Sequence, residues 1–287
     1  MDSVSPIQAP PKRKKALGRF FSSGVNVMSF TVFALFVAVA IAGPWIAPFD
    51  PNAINPLKII QPPSSTHLFG TDDLGRDVFS RFLFAARISL IAALQAVTIA
   101  AVIGVPLGLI AGYISGFWSA TLTLLNDALM AFPGLILAIA IIGVLGPGLT
   151  NAMLAVGIIF IPRFFRIARA GAISLREETY IEAARSIGCS NLRIIGRHVL
   201  PNLISPLVVQ ISLTMALAIV TEAALSYIGL GVQSPEASWG SMMRRAYPYM
   251  GEVPVQIIAP GVALMLLILA FNLIGDGIQS ALGRSKG

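Results

Sequence analysis

Residues 88–126 read ISLIAALQAVTIAAVIGVPLGLIAGYISGFWSATLTLLN, and this stretch contains no charged side chain. Uncharged stretches follow at residues 128–162 and at residues 253–275. About 20 consecutive apolar residues suffice for one helical membrane span, so each stretch is long enough for at least one. The apolar runs are continuous and do not alternate with polar residues, which disfavours transmembrane strands. The sequence therefore predicts an all-α, polytopic membrane protein.

The overall composition agrees with this class. Of 287 residues, 56% are hydrophobic and 11% are charged, whereas roughly 25% are charged in an ordinary soluble domain. The net charge is +7, which could indicate nucleic-acid binding, but that function needs a soluble basic domain with aromatic stacking residues. We interpret the excess of basic residues as a signal of membrane orientation and predict no nucleic-acid partner.

We predict six transmembrane helices, because glycine and proline break the apolar sequence at regular intervals. The predicted helices are residues 27–47, 88–113, 118–144, 149–170, 203–230 and 257–281. The prediction divides the chain into four parts. These are a basic N-terminal tail (1–25), a first helix with an external loop (26–87), a core of five helices (88–281) and a C-terminal tail (282–287).

The distribution of basic residues predicts the orientation. Two segments are strongly basic, and the positive-inside rule places both in the cytoplasm. The first carries Lys12, Arg13, Lys14, Lys15 and Arg19, and the second carries Arg163, Arg166, Arg169, Arg176, Arg185, Arg193 and Arg197. An even number of helices returns the C-terminus, with Arg284 and Lys286, to the same side. Residues 48–87 and 231–256 are then external.

The loop at about residues 171–200 contains the sequence Glu182-Ala183-Ala184-Arg185-Ser186-Ile187-Gly188. Two adjacent alanines leave little side-chain bulk, so a partner can approach the backbone closely while Glu182 supplies a charged contact. We expect Gly188 to end this short helix in the left-handed conformation. The sequence thus predicts a surface on which a partner protein docks.

A second short helix is expected after this turn, because Ser190 is a suitable N-cap. Proline is tolerated in the first turn of a helix, where its missing N–H would have had no partner. We therefore expect Pro201 to restart the chain as a new apolar helix near Leu200.

The spacing of Glu-Ala-Ala, Gly188 and Leu200-Pro201 resembles the coupling motif of bacterial ABC-importer permeases. The general pattern has isoleucine where this chain has His198, although the peptide and nickel branch commonly carries histidine there. Four further stretches resemble dipeptide and oligopeptide permeases, and they cover nearly all of the chain beyond about residue 25. These are Ala47–Pro51, Phe69–Leu90, Leu225–Gly240 and Phe271–Gly277. The resemblance points to the second, C-type, of the two permease subunits of such importers.

This resemblance implies the ABC-importer permease fold and a multi-pass place in the bacterial cytoplasmic (inner) membrane, with both termini cytoplasmic. It implies import of di- or oligopeptides together with a homologous second permease, two ATPase subunits or domains and an extracytoplasmic solute-binding protein. ATP and Mg are then bound by the ATPases and not by this chain. By the same resemblance, the ATPase-coupling residues are Glu182, Ala183, Ala184, Gly188, Leu200 and Pro201.

The residues themselves agree that this chain is not the ATPase. No lysine follows a glycine, so the Gly-x-x-x-x-Gly-Lys-Ser/Thr loop that cradles phosphates does not occur. The sequence also shows no nucleophile and base set and no metal-ligand spacing. We predict no catalytic residue, no metal site and no cofactor in this chain.

Asp127 and Glu222 fall within predicted spans. A carboxylate at mid-bilayer costs about 2.5–3.5 kcal/mol, so such residues usually face protein or water. Either residue could line the translocation pathway or pack against a partner subunit. Near the outer interface, Trp239, Tyr247 and Tyr249 could form an aromatic belt or help receive the solute-binding protein.

Three rival functions remain open. Within the family, the solute could be nickel or another small molecule. From other classes, the chain could be an ion-coupled secondary transporter or an intramembrane enzyme. The docking motif argues against the secondary transporter, and the lack of a nucleophile and base set argues against the enzyme.

Overall fold

The computed structural model describes residues 18–283, so the basic residues 12–15, 284 and 286 lie outside the described part of the chain. Within it, residues 18–21 are helical, ten further α-helices follow, and no strand is formed. The helices are α1 (Gly24–Ile46), α2 (Val78–Tyr113), α3 (Phe117–Met130), α4 (Gly134–Leu145), α5 (Leu149–Arg176), α6 (Thr179–Ser186), α7 (Asn191–Ile194), α8 (Leu200–Tyr227), α9 (Trp239–Ala246) and α10 (Val255–Gly283).

Five helices are long and apolar enough to cross a membrane: α1, α2, α5, α8 joined to α7, and α10. The bent pair α3 and α4 brings the number to six if it counts as one span. The prediction of an all-α membrane protein built from long apolar helices is thus confirmed, while several predicted helix boundaries differ from those in the structure. Helix α2 begins at Val78 rather than residue 88, because the Asp77 carboxylate accepts a hydrogen bond from Ser80 N at 2.7 Å and caps the extra turns.

The predicted third helix, residues 118–144, is wrong as a single straight span. Helices α3 and α4 are bent by 92° at residues 131–133. Pro133 lacks an N–H and its ring disfavours helical backbone at Phe132, so the chain leaves the helix there. The proline was a visible signal for this break.

The tightest helix contact joins α2 and α5. Gly104, Gly108 and Gly112 recur every four residues along one face of α2, and a Cβ at any of them would clash with the backbone of α5. Gly104 lies against Phe164, and Gly112 lies against Ala172. The contacts advance along both helices together, so α2 and α5 run parallel. Small residues let two backbones approach closely in this way.

The bundle has two distinct ends. We call the end at which α6 and α7 lie the basic end; it is tied to the end of α2 because the Arg185 guanidinium donates to the Tyr113 hydroxyl at 3.3 Å. At the other end, called the far end, Gln256 at the start of α10 donates to the Thr71 carbonyl at 2.8 Å. Arg245 on α9 pairs with Asp73 there at 3.1 Å.

Candidate functional site

The predicted docking segment forms a helix–turn–helix at the basic end. Gly188 has a φ of +84° and follows the last turn of α6, as the sequence predicts. Its N–H donates to the Arg185 carbonyl at 3.0 Å, and Cys189 N donates to the Ala184 carbonyl at 3.1 Å, which closes the helix end. Ser190 occupies the N-cap position of α7, as predicted, but its side chain makes no capping bond.

Helix α6 presents only one of its two alanines outward. Glu182 and Ala183 are exposed, whereas Ala184 and Ile181 pack into the core. Residues three apart on a helix share a face, so Ile181 and Ala184 together anchor α6 to the bundle. The small outward surface is therefore limited to Ala183, with Glu182 beside it.

Two exposed apolar side chains flank the turn, and sequence reasoning missed both. Ile187 is 80% exposed and Leu192 is 82% exposed. A large apolar side chain left in water beside a charged helix is typical of a protein interaction site when several such side chains cluster. Helical periodicity could have found Leu192, because the buried Ile194 fixes the inward face of α7.

The segment is linked to α2 and α8 by side chains. The Arg185 guanidinium lies 5.7 Å from the Tyr113 ring centroid as well as donating to its hydroxyl. Asn202 on α8 donates to the Tyr180 hydroxyl at 3.4 Å and to the His198 carbonyl at 2.6 Å. Burial and the nearby Glu178 carboxylate raise the pKa of Tyr180.

Pro201 does not restart the chain after a break. It lies in the first turn of α8, as predicted, but α7 continues into α8 through a π-helical turn, Ile195–Val199. A proline ring clashes with the carbonyl four residues earlier and removes one donor, and the wider turn accommodates this. Leu200 N donates to the Ile195 carbonyl, which is the π-type bond. A continuous helix thus connects the docking segment to the membrane.

The two membrane carboxylates differ sharply in environment. Glu222 is fully buried, where it accepts from Ser226 Oγ at 2.7 Å and from Ser89 Oγ at 3.4 Å. It joins α2 to α8, and in this conformation no solute can contact it. Asp127 is exposed on α3, 3.3 Å from the Asn126 amide nitrogen. A pathway role for Asp127 stays a prediction.

At the far end, the expectation of an interfacial or docking role is wrong for Trp239. Its side chain is fully buried, and its indole N–H donates to the Phe82 carbonyl at 3.2 Å. The Phe36 and Phe82 rings lie 5.6 and 5.8 Å away, so Trp239 is a core residue. Tyr247 is exposed and remains available for either predicted role.

A tight turn before α2, in which Gly75 N donates to the Asp72 carbonyl, carries a charge network that the sequence did not reveal. Asp72 Oδ1 accepts from the backbone N–H groups of Leu74 and Arg76. Its second oxygen pairs with the buried Arg76 guanidinium at 2.6 Å. These bonds fix the entry of the chain into α2.

A bundle of long apolar helices with an exposed, partly charged helix–turn–helix at one end defines a polytopic membrane protein with a candidate docking segment. The chain belongs to the family of binding-protein-dependent transport system inner membrane components, whose profile matches residues 104–286. The profile of the N-terminal TM domain of oligopeptide transport permease C matches residues 13–63. The expected ABC-importer permease is thereby confirmed, as a multi-pass inner membrane protein.

Individual relatives cover nearly the whole chain. The dipeptide transport system permease DppC of Alkalihalophilus pseudofirmus is 40% identical over 94% of this chain and 88% of that protein. The glutathione transport system permease GsiD of Escherichia coli O6:K15:H31 is 42% identical over 98% and 93%. The probable D,D-dipeptide permease DdpC of Escherichia coli K12 is 40% identical over 92% and 89%.

The fold matches that of a solved transporter. Two crystal forms of the MetNI methionine ABC transporter, both in inward-facing conformations, align with TM-scores of 0.57 and 0.58. The alignments cover 71% of this chain and 96% and 97% of the matched chains, at 20% and 19% sequence identity. This likeness establishes the ABC-importer permease fold.

Proposed function

We propose that this chain translocates di- or oligopeptides as one half of a heterodimeric pore, driven by ATP hydrolysis in partner subunits. The observation that carries the proposal is the exposed α6–α7 segment, with Glu182, Ile187 and Leu192 outward and a continuous helix leading into the membrane. The substrate class is supported by the names of the relatives, which include dipeptide, D,D-dipeptide and glutathione permeases.

The partners are a homologous second permease, two ATPase subunits that bind ATP and Mg, and an extracytoplasmic solute-binding protein. The basic end faces the cytoplasm, together with both termini. The arginines of α6, α7 and the π-helical turn support this orientation under the positive-inside rule. The acidic and basic pairs of the far end nearly cancel, as expected of an external surface.

The geometry suggests how motion is transmitted. Closure of the ATPases displaces α6 and α7, which are held to α2 by Arg185 and to α8 by the continuous helix. Because α2 is packed backbone to backbone on α5, these helices move as a unit. Rigid-body rocking of such a unit exposes a central cavity to alternate sides of the membrane.

Reconstitution tests the proposal. The chain, its second permease and the ATPases are placed in lipid vesicles with ATP inside, and uptake of a radiolabelled dipeptide is measured with the solute-binding protein outside. We expect uptake and ATP hydrolysis only when every component is present. Uptake without the ATPases, or ATP hydrolysis by this chain alone after removal of contaminating ATPases, would refute it.

A further inference from the structure

A cavity of about 470 Å³ lies against the bend between α3 and α4. Its wall includes Met130, Phe132, Arg163, Arg166 and Gln210. The two arginines are exposed on α5, so the cavity opens on a face that this chain does not cover. Sequence reasoning assigned both arginines to the cytoplasmic basic segment.

Neither guanidinium is paired with an acid in the described part of the chain, where no carboxylate oxygen lies within 4.0 Å of either. Arg163 lies 5.6 Å from the Phe160 ring centroid, and Arg166 Nη1 lies 3.9 Å from the Met130 sulfur. Asp127 lies one helical turn before Met130 without forming an ion pair. Two positive charges therefore face the cavity uncompensated.

The depth of the cavity makes these charges informative. Ile161 and Phe164 of α5 contact Gly104, so Arg163 lies at the level of residue 104 on α2. At 1.5 Å per residue, that level is about 26 Å from Arg87, where the uncharged stretch begins. A hydrocarbon core is about 30 Å thick. With Arg87 at the outer edge of that core, Arg163 lies inside it near the opposite edge, where an arginine side chain turns towards water or an anionic group because exposure to lipid is costly.

The backbone at the bend leads to the same conclusion. Residues 131–133 are not helical, and such backbone at membrane depth is tolerated only where it is buried in protein or lines a water-filled cavity. Helix α4 begins there without a side-chain cap, and its first backbone bond is from Leu137 N to the Pro133 carbonyl. Its free N–H groups add positive potential at the bend.

We propose that this cavity is an anion-binding subsite of the translocation pathway, in which Arg163 and Arg166 receive the carboxylate of the transported solute. The proposal deepens the proposed function and rests on it. A guanidinium binds a carboxylate through two parallel hydrogen bonds and stays charged at all physiological pH values. For a peptide, the group is its C-terminal carboxylate. The phosphate of an anionic lipid would bind guanidinium groups in the same way, and the transport test below distinguishes it from the solute carboxylate.

Thiol labelling tests whether the cavity is aqueous. In the assembled transporter carrying Cys189→Ser, Arg163→Cys and Arg166→Cys are each treated with the anionic reagent 2-sulfonatoethyl methanethiosulfonate. We expect both cysteines to react. Val102→Cys is the control, because residue 102 is exposed on α2 at a similar depth and should stay unlabelled. If the two cavity cysteines are as unreactive as Val102→Cys, the proposal is wrong.

Transport tests the ligand. Uptake of a dipeptide and of its C-terminal amide is compared in wild type and in the double variant Arg163→Gln/Arg166→Gln. The solute-binding protein is the same throughout, so its preference cancels in the variant-to-wild-type ratio for each peptide. Loss of a charge-assisted hydrogen bond predicts a fall of about tenfold for the free carboxylate. We expect the variant-to-wild-type uptake ratio for the amide to stay near one. The control Arg87→Gln, near the far end of α2, should change the uptake of neither peptide.

Each remaining outcome has a distinct meaning. Equal ratios for the two peptides would overturn the carboxylate assignment. A loss that occurs only in phosphatidylglycerol vesicles, and not in phosphatidylcholine vesicles, would assign the arginines to lipid and also overturn it. No uptake of either peptide by the complete wild-type system would instead contradict the proposed function, while the labelling result would still decide whether the cavity is aqueous.

Discussion

Gly188 shows how one residue can determine the shape of the docking segment. Its φ of +84° lies in the left-handed region, and an added Cβ would meet no atom within 4 Å. The requirement for glycine therefore comes from the backbone and not from packing. Left-handed backbone costs roughly 1–2 kcal/mol for a residue with a Cβ.

Gly188→Ala should consequently loosen the turn between α6 and α7 without unfolding the membrane helices. We expect faster proteolytic cleavage at residues 187–190 in the detergent-solubilised chain, with the thermal midpoint of the bundle almost unchanged. Gly196→Ala is the matched control, because Gly196 also has open space around it but lies in helical backbone. Equal cleavage of Gly188→Ala and Gly196→Ala would contradict the inference that a side chain at residue 188 strains the turn.

The sequence identified this turn but not the direction of every neighbouring side chain. A positive φ follows from local rules, so Gly188 was predictable. The burial of Ala184 depends on where the core lies relative to α6, and the burial of Trp239 depends on Phe36 and Phe82, which are distant in sequence. Such tertiary contacts cannot be read from a local pattern.

Among the elements, the pair α2 and α5 holds the bundle together through close backbone contact. Gly108 lies against the Phe165 carbonyl. A Cβ added at Gly108 would lie only 2.9 Å from the Cβ of Ala168. Overpacking of a tight contact typically costs about 1–3 kcal/mol. Gly143, on α4, has no atom within 4 Å of an added Cβ.

Gly108→Ala should therefore lower the thermal unfolding midpoint of the purified chain in detergent, whereas Gly143→Ala should leave it unchanged or raise it. The rise is expected because alanine in a helix interior is roughly 0.5–1 kcal/mol more favourable than glycine. A midpoint that does not fall in Gly108→Ala would contradict the close packing of α2 on α5.

Element types were predictable from apolar run length, but element ends were not. Helix α2 is longer than predicted because the Asp77 cap and the buried Asp72–Arg76 pair lie before the apolar stretch, in a region that composition alone assigns to a loop. The bend at Pro133 follows a local rule, yet its size depends on packing against α5. These differences place Arg163 and Arg166 beside a cavity that no sequence pattern indicated.

For the whole molecule, the orientation of the bundle is the first matter to test. The positive-inside rule predicts Cys189 in the cytoplasm and Ser64 outside. In intact cells, an impermeant maleimide should label Ser64→Cys in a Cys189→Ser chain and should not label the native Cys189. The opposite pattern would invert the proposed arrangement of partners.

Coupling between this chain and the ATPases is the central claim, and it rests on the exposed charge of Glu182 beside Gly188, Ile187 and Leu192. Glu182→Lys reverses that charge, and Gly188→Val distorts the turn. Both variants should still assemble with the second permease but should bind the ATPases more weakly. Thr66→Ala, an exposed far-end substitution, is the control.

The most direct measurement is ATP-driven dipeptide uptake by reconstituted complexes of these three variants, with bound ATPase quantified in the same vesicles. We predict that Glu182→Lys and Gly188→Val lose uptake in proportion to their loss of ATPase, while Thr66→Ala matches wild type. Wild-type uptake and ATPase content in both Glu182→Lys and Gly188→Val would contradict the claim that this segment couples ATP hydrolysis to transport.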